Sequence, residues 1–236
     1  MNKTLLTNGC SFTWGGGLTY TNSEERWPNV WPGILSKSIG YTDVNLSAGC
    51  GSNARIFRTT HDWITFQDPD TLANTFAIIQ LTEPSRYEFY QPYRREWAKI
   101  KVDVSQFRAT CGEEKEYLTK LTQKRFEYYT PEEGKYLFLS YLCALKTLFD
   151  THGVPHVFFT YGHMEIDDQT FVDQNFNWVN NAMEQSDFYN MSIDNWGIKF
   201  RNARRVWDRI PNDGHLSLDG HKEFAEYLER KLCFQA

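Results

Sequence analysis

The sequence has few cysteines, no long apolar run and no concentration of basic residues, and each absence argues against a class of protein. The five cysteines among 236 residues are scattered and form no CxxC pair, which argues against disulfides and structural zinc and for a reducing compartment. No apolar run approaches membrane-spanning length, and the first residues do not resemble a signal peptide. The formal net charge is -5, with 25 basic and 30 acidic residues interspersed, which does not favour a nucleic-acid surface. We therefore expect a cytoplasmic protein that binds neither nucleic acid nor membrane.

Strand-like and helix-like segments alternate along the chain, and there is no repeat or low-complexity linker. The predicted strands are residues 4–7, 43–46, 75–81, 154–160 and 197–200, and the predicted helices are residues 24–38, 53–66, 132–152 and 218–232. This alternation is typical of a parallel sheet covered by helices on both faces. We predict a single α/β domain over residues 1–236, a three-layer α/β/α flavodoxin-like sandwich with about five parallel strands.

One stretch, residues 87–130, interrupts the alternation because it mixes aromatic and charged residues without a sustained period. We expect it to be an insertion after the third strand, at the carboxyl edge of the sheet, and helical around residues 115–124. A segment at that edge can cover a ligand cleft as a lid or select the substrate. A peripheral excursion that only pads the fold is an equally open interpretation.

Two polar segments near the ends of the chain carry the residue types of a hydrolytic site. Asn8-Gly9-Cys10-Ser11 follows the first strand, and Asp213-Gly214-His215 precedes the last helix. In an open α/β sheet, ligands bind outside the carboxyl ends of the strands, where Ser11 would lie. A serine nucleophile needs a base within hydrogen-bond reach, and an Asp and a His supply the rest of a triad. The alternative is a serine turn that caps the next helix.

Four polar blocks occur in an order and spacing that resembles the SGNH (GDSL-like) hydrolase family, especially small members found in phage and bacterial genomes. The blocks are Asn8-Gly9-Cys10-Ser11, the stretch from Asn45 to Asn53, Gln80-Leu81-Thr82-Glu83, and Asp213-Gly214-His215. The resemblance implies a serine esterase that cleaves an ester or O-acetyl group of a small molecule or glycan through an acyl-enzyme, without a cofactor. It assigns the nucleophile to Ser11, the general base to His215 and the orienting acid to Asp213. The backbone N–H groups of Ser11 and Gly49 would face the oxyanion.

The sequence departs from the family pattern at two positions. Thr82 stands where the family has an asparagine that completes the oxyanion hole, and loss of one such donor costs about 100- to 1,000-fold in rate. The family acid stands three residues before the histidine, where this chain has Asn212. Asp213 is the nearest substitute and Asp208 a weaker one. A member of the fold that binds a ligand without turnover is therefore an alternative function.

Other polar residues near the blocks have both a functional and a structural interpretation. Asn53, Arg86 and His163 are candidates for substrate binding. The structural alternatives are a role at the start of a helix for Asn53, a salt bridge to a nearby carboxylate for Arg86 and an ordinary surface loop for His163. We interpret His221 as structural.

A rival motif lies in the second block, where Gly49-Cys50-Gly51-Ser52-Asn53-Ala54 matches the loose dinucleotide pattern G-x-G-x-x-A. That pattern normally follows the first strand of a dinucleotide-binding fold, whereas this one follows the second. Nucleotide binding is therefore a less favoured alternative. No pair of histidines or carboxylates has a convincing metal-ligand spacing, so we expect no metal site.

Overall fold

The structure is a computed structural model that describes residues 3–20, 22–91, 95–101, 115–160, 188–192 and 215–232. The strands in these ranges are β1 (Thr4–Asn8), β2 (Thr42–Asn45), β3 (Thr75–Leu81), β4 (Arg86–Gln91), β5 (Glu96–Lys101), β6 (His156–Thr160) and β7 (Phe188–Ser192). The helices are α1 (Ser11–Trp14), α2 (Ser23–Arg26), α3 (Trp31–Ile39), α4 (Asn53–Thr65), α5 (Pro69–Ala73), α6 (Lys115–Tyr128), α7 (Pro131–His152) and α8 (Leu218–Leu232).

Five strands form one parallel sheet in the order β2-β1-β3-β6-β7. This is the strand order of flavodoxin-like folds, so the predicted fold class is confirmed. The connection after β1 leads to β2 on one side, whereas the connection after β3 leads to β6 on the other side. The two connections therefore diverge at the carboxyl ends of β1 and β3. Ligands bind at such a switch point. Ser11 follows β1 and Thr82 follows β3, so both candidate residues lie at this edge.

Helices cover both faces of the sheet. Successive side chains of each strand point to opposite faces, so each strand contributes to both cores. In β1, Leu6 packs in a cluster with residues of α4 and α7, whereas its neighbour Leu5 packs with residues of α3 and α8. Trp31 of α3 is fully buried in the second cluster, where its ring meets Phe159 and Phe224 edge-on at centroid distances of 5.9 and 5.5 Å. The three-layer arrangement follows from these two cores.

Helix ends follow local signals that the sequence contains. Ser52, the N-cap of α4, accepts a hydrogen bond from the Arg55 N–H at 3.2 Å. Gly40 and Gly153 adopt the left-handed conformation, with φ of 71° and 65°, and end α3 and α7. The bounds of β3 and α8 agree with the predicted segments.

For the helix predicted at residues 24–38, Pro28 and Pro32 indicate either a late start or a kink, and the structure has the late start. The structure has α2, then a short 3-10 turn at Trp27–Asn29, and then α3. Pro28 and Pro32 each stand in the first turn of their own segment, where a missing N–H costs nothing. The prolines therefore restart the helix at Trp31 rather than kink it.

The insertion after β3 contains an antiparallel hairpin that the sequence analysis did not predict. β4 and β5 pair from Arg86 opposite Lys101 to Gln91 opposite Glu96, and α6 runs four residues beyond the predicted helical stretch. Arg58 of α4 holds the hairpin: its guanidinium donates to both carboxylate oxygens of Glu88 at 2.9 Å and stacks on Trp97 at 4.4 Å. The hairpin is thus attached to the main body.

The fifth described strand of the sheet is one that the sequence did not predict. It is β7, which pairs with β6, whereas the strand predicted at residues 197–200 lies outside the described residues. In the described parts of the chain, no helix has the length and apolar character to cross a membrane.

Asp43 on the edge strand β2 is a partly buried carboxyl group whose Oδ1 atom is buried and has no hydrogen-bond partner among the described residues. Burial raises the pKa of Asp43 from 3.8 to about 6. The folded chain therefore binds a proton on the Asp43 carboxyl group more tightly than the unfolded chain does. For this reason the contribution of Asp43 to the free energy of unfolding is most favourable below pH 3.8 and is lost as the pH rises to about 6.

Asp43→Asn should therefore stabilise the fold at pH 7 by about 1 to 3 kcal/mol and have little effect at pH 4. Urea unfolding of both proteins at the two pH values measures this difference. Asp70→Asn, at an exposed aspartate in the first turn of α5, is the matched control and should show no such pH-dependent gain. An equal effect of Asp43→Asn at both pH values would contradict a raised pKa of Asp43.

Candidate active site

The turn that presents Ser11 is fixed at its start by the side chain of Asn8, the last residue of β1. Asn8 Nδ2 donates to the Ile56 carbonyl oxygen at 3.1 Å and to Thr60 Oγ1 at 2.9 Å, both on α4. Its Oδ1 accepts from the Gly9 N–H at 2.8 Å. Asn8 is fully buried, so these bonds form away from water and hold the end of β1 rigidly against α4.

Ser11 and His215 are brought together although 204 residues separate them. Ser11 Oγ lies 2.8 Å from His215 Nε2. The Phe12 ring packs on the imidazole at a centroid distance of 4.8 Å, and only 9% of Ser11 is exposed. When Nε2 carries no proton, it accepts the Oγ hydrogen, which is the contact that a serine nucleophile and its base require.

Gly16 leaves the space that His215 occupies. A Cβ atom at Gly16 would lie 2.7 Å from His215 Nε2 and 3.0 Å from Ser11 Cβ. The Gly16 N–H donates to the Ser11 carbonyl oxygen at 2.6 Å, so the loop after α1 folds back over the serine. A glycine is needed here for the close approach of the imidazole, not for an unusual backbone angle.

Several predicted site residues lie outside the described residues. These are the acid candidates Asp213 and Asp208, the departure from the family pattern at Asn212, and His163. Their assignments stay predictions.

Gln80 supports the serine turn from the neighbouring strand. It is fully buried near the end of β3, its Oε1 accepts from Thr13 Oγ1 at 2.5 Å, and its Nε2 donates to Cys10 Sγ at 3.4 Å. The two contacts engage the residue before Ser11 and the residue two positions after it. Gln80 belongs to the third polar block, and an amide between the apolar residues of a buried strand is itself a signal of such a contact.

Thr82 is held by Asn53 at the first position of α4. Asn53 Nδ2 donates to the Thr82 carbonyl oxygen at 2.9 Å, and Asn53 Oδ1 accepts from the Thr82 N–H at 2.8 Å. Thr82 is 1% exposed, and its Oγ1 has no hydrogen-bond partner among the described residues. A buried hydroxyl without a partner costs free energy, so it calls for an explanation. The amide of Asn53 engages the backbone next to this hydroxyl.

The loop after β2 packs on the serine turn through Gly49 and its neighbours. The Ala48 N–H donates to the Gly9 carbonyl oxygen at 3.3 Å, and a Cβ atom at Gly49 would touch the Trp14 ring at 3.4 Å. Lys99 of the hairpin donates from Nζ to the Gly49 carbonyl oxygen at 3.0 Å. The loop is therefore confined between α1 and the hairpin.

Arg86 forms an ion pair with Glu83, with Nε 3.5 Å from Oε2, although the contact lacks hydrogen-bond geometry. This is the local salt bridge that the sequence analysis gave as the structural alternative for Arg86. The prediction that Arg86 contacts substrate is untested.

His221 has the structural role predicted for it. It is fully buried in α8, and its Nδ1 accepts from the Trp31 N–H at 3.2 Å. Burial, with a smaller contribution from the nearby His215, lowers the pKa of His221 to about 3. His221 is therefore neutral at pH 7 and leaves His215 without an adjacent imidazolium.

In the described ranges, no group of three or more His, Cys, Asp and Glu residues lies together as a metal site would require. The described cysteines Cys10, Cys50 and Cys143 are free thiols.

The site occupies the carboxyl edge of a flavodoxin-like sheet and pairs a serine with a histidine, so the class that fold and site define is an α/β protein with a serine–histidine centre. A family model described as a family of unknown function, DUF6071, matches residues 19–192, and the chain belongs to that family. The matched region includes Gly49, Thr82 and the hairpin but neither Ser11 nor His215.

No curated protein matches the chain, whereas five solved chains do. One of them is a protein assigned to a lipolytic G-D-S-L family, from Desulfitobacterium hafniense DCB-2. It is 12% identical, the match covers 97% of this chain and 99% of that chain, and the TM-score is 0.42. This similarity is distant and assigns no role to any residue.

Gly16→Ala should break the contact between Ser11 and His215, because the new methyl group would overlap the imidazole. The imidazole 15N resonances of His215 should then move to the positions that they have in Ser11→Ala, which removes the same hydrogen bond. Long-range 1H–15N spectra measure this change.

Gly49→Ala is the control for this substitution, because its methyl group would make only an ordinary contact with Trp14. It should leave the His215 resonances in place. Wild-type resonances in Gly16→Ala would contradict the geometry.

Proposed function

We propose that the protein is a serine hydrolase of the SGNH type that cleaves an ester or O-acetyl group through an acyl-enzyme. The observation that carries the proposal is the 2.8 Å contact between Ser11 Oγ and His215 Nε2 at the carboxyl edge of the sheet. The substrate class is a small-molecule or glycan ester. No cofactor takes part, and the whole chain acts as one domain in this proposal.

The reaction follows from the roles of the two side chains. Ser11 Oγ attacks the acyl carbon while His215 Nε2 takes its proton, and His215 then gives that proton to the leaving alcohol. Water repeats the sequence on the acyl-enzyme, with His215 again as base, and releases the acid. Asp213 is proposed to hold the imidazole in the tautomer that leaves Nε2 free to accept.

The negative charge that develops on the acyl oxygen needs donors fixed in advance. We assign these to the backbone N–H groups of Ser11 and Gly49 and to the Thr82 hydroxyl. The position of Thr82 directly after β3 supports its part in this set, and its Oγ1 has no hydrogen-bond partner among the described residues that would compete for its proton. Asn53 is proposed to keep Thr82 in place.

The packing around Gly51 weakens the case for the alternative function, nucleotide binding. A Cβ atom at Gly51 would lie 3.0 Å from the Gly9 carbonyl oxygen and 3.1 Å from that of Ala48. Close packing of the loop on the serine turn therefore explains this glycine without a nucleotide. Thermal-shift screening with dinucleotides and ATP tests the alternative directly.

The hairpin is proposed to select the substrate rather than to open and close as a lid. The bidentate pair of Arg58 and Glu88 fixes it to α4, and Lys99 already contacts the loop of Gly49. Charge-assisted bonds of this kind resist a large displacement.

A fluorophosphonate probe should attach once to the wild-type protein and not to Ser11→Ala or His215→Ala, because only an activated serine reacts. Intact mass measures the adduct. Ser47→Ala, at another buried serine near the site, and His152→Ala, at an exposed histidine, should label like wild type. Absence of an adduct, under conditions that label a known esterase, would favour the alternative of a ligand-binding protein without turnover.

Thr82→Val should lower the esterase rate about 100-fold, because it removes one oxyanion donor without changing the shape of the side chain. It should also leave the protein as stable or about 1 kcal/mol more stable, because a buried hydroxyl without a partner is lost. Turnover of a 4-nitrophenyl ester and urea unfolding measure the two effects.

Thr7→Val is the matched control for this prediction. Thr7 is fully buried in β1, and its hydroxyl likewise has no partner among the described residues. The control should change stability in the same direction and leave the rate unchanged. An unchanged rate in Thr82→Val would remove Thr82 from the oxyanion site.

A further inference from the structure

We propose that the ester substrate carries a second, negatively charged group, a carboxylate or a phosphate, which Lys99 and Arg55 bind beside the loop of Gly49. The proposal rests on the proposed function, since it identifies the class of ester that Ser11 attacks. It starts from two cations on different elements that meet at one loop.

Both cations hold the loop after β2 through its backbone. Lys99 of β5 donates to the Gly49 carbonyl oxygen at 3.0 Å, and Arg55 of α4 donates from a terminal guanidinium nitrogen to the Leu46 carbonyl oxygen at 2.9 Å. Burial and then the nearby Arg55 lower the pKa of Lys99, while Cys50 and Glu88 act in the opposite direction. Lys99 and Arg55 are therefore close enough to repel each other, and an added anion would reduce this repulsion.

The nearby carboxylate is Glu88, and its charge raises the pKa of both Lys99 and Arg55, against the lowering of each pKa by burial. Both oxygens of Glu88 accept hydrogen bonds from Arg58, at 2.9 Å each. Among the described residues, neither Lys99 nor Arg55 forms an ion pair with a carboxylate. Glu88 offsets one of the three cations Arg55, Arg58 and Lys99, so these four described side chains together carry an excess of positive charge.

The two cations also retain donors. An ammonium group has three N–H donors and a guanidinium five, and each group gives one to the loop. Lys99 is exposed and Arg55 half-buried, so a ligand can reach them. Carboxylates and phosphates match a planar guanidinium with a neighbouring ammonium, because their oxygens accept several charge-assisted bonds at once.

The position of the pair relates the anion to the reacting bond. Gly49 supplies one of the proposed oxyanion N–H groups, and Lys99 contacts the carbonyl oxygen of the same residue. Trp14, three residues after Ser11, also lies beside Gly49. An ester held at Ser11 therefore extends along the Gly49 loop toward Lys99, which places its charged group at the end remote from the serine.

Two esters of equal chain length test the proposal: the 4-nitrophenyl monoester of adipic acid, which is charged, and 4-nitrophenyl hexanoate, which is neutral. Wild type should have the higher kcat/KM on the charged ester. In Lys99→Gln the ratio of the two values should fall about 10-fold, the effect of losing one charged hydrogen bond. Lys99→Arg should retain most of the ratio, and Lys37→Gln, at an exposed lysine of α3, should retain all of it.

A fall on both esters by the same factor would overturn the proposal, because Lys99 would then act only through the Gly49 loop. So would the absence of a preference in wild type. Hydrolysis of neither ester would count against the proposed function instead.

A binding measurement distinguishes a protein that is not an esterase from a protein that lacks the anion site. Calorimetry on Ser11→Ala with monomethyl adipate, and separately with inorganic phosphate, should give a measurable affinity for at least one of them that Lys99→Gln weakens. The stronger ligand identifies the anion as carboxylate or phosphate. No binding of either at 10 mM, at low ionic strength, would overturn the anion site whether or not the protein is an esterase.

Discussion

The hydrogen bonds of Asn8 are the interaction on which the rest of the site depends. The carboxyl end of β1 leads into a loop. The buried side-chain amide of Asn8 ties this end of the strand to the middle of α4. The turn that follows is then fixed from both sides, by Asn8 before it and by the contacts of Gln80 with Cys10 and Thr13 around it. Asn8 and Gln80 thus hold the turn in which Ser11 contacts His215.

His215 reaches the site through the packing of the last helix. Trp31 contacts α8 in two ways. Its ring packs on Phe224, and its backbone N–H donates a hydrogen bond to His221 Nδ1. Because His221 stays neutral, this anchor adds no charge to the interior near the site. The position of the histidine that contacts Ser11 thus depends on an aromatic core on the other side of the sheet from α4.

The sequence predicted the elements whose signals are local. β3 is an unbroken apolar run and α8 has helical periodicity, and both have the predicted bounds. The hairpin could not be found in this way, because β4 and β5 are not fully buried and are held instead by pairs such as Arg58 with Glu88, which join residues 30 positions apart. The contact between Ser11 and His215 could be expected from the residue types at the two ends of the chain and from the family resemblance, whereas the hydrogen bonds of Asn53 with the backbone of Thr82 had no signal in the order of residues.

Helix α4 gathers contacts that belong to three different loops. Its first residue holds Thr82, its middle accepts the bonds of Asn8, and Arg58 carries the hairpin. Helix α4 thus holds the serine turn and the third block together, so a tilt of α4 would move both. The hairpin is attached to the same helix through a different side chain, Arg58. The attachment of the hairpin can therefore change without a change in the bonds of Asn8 or Asn53.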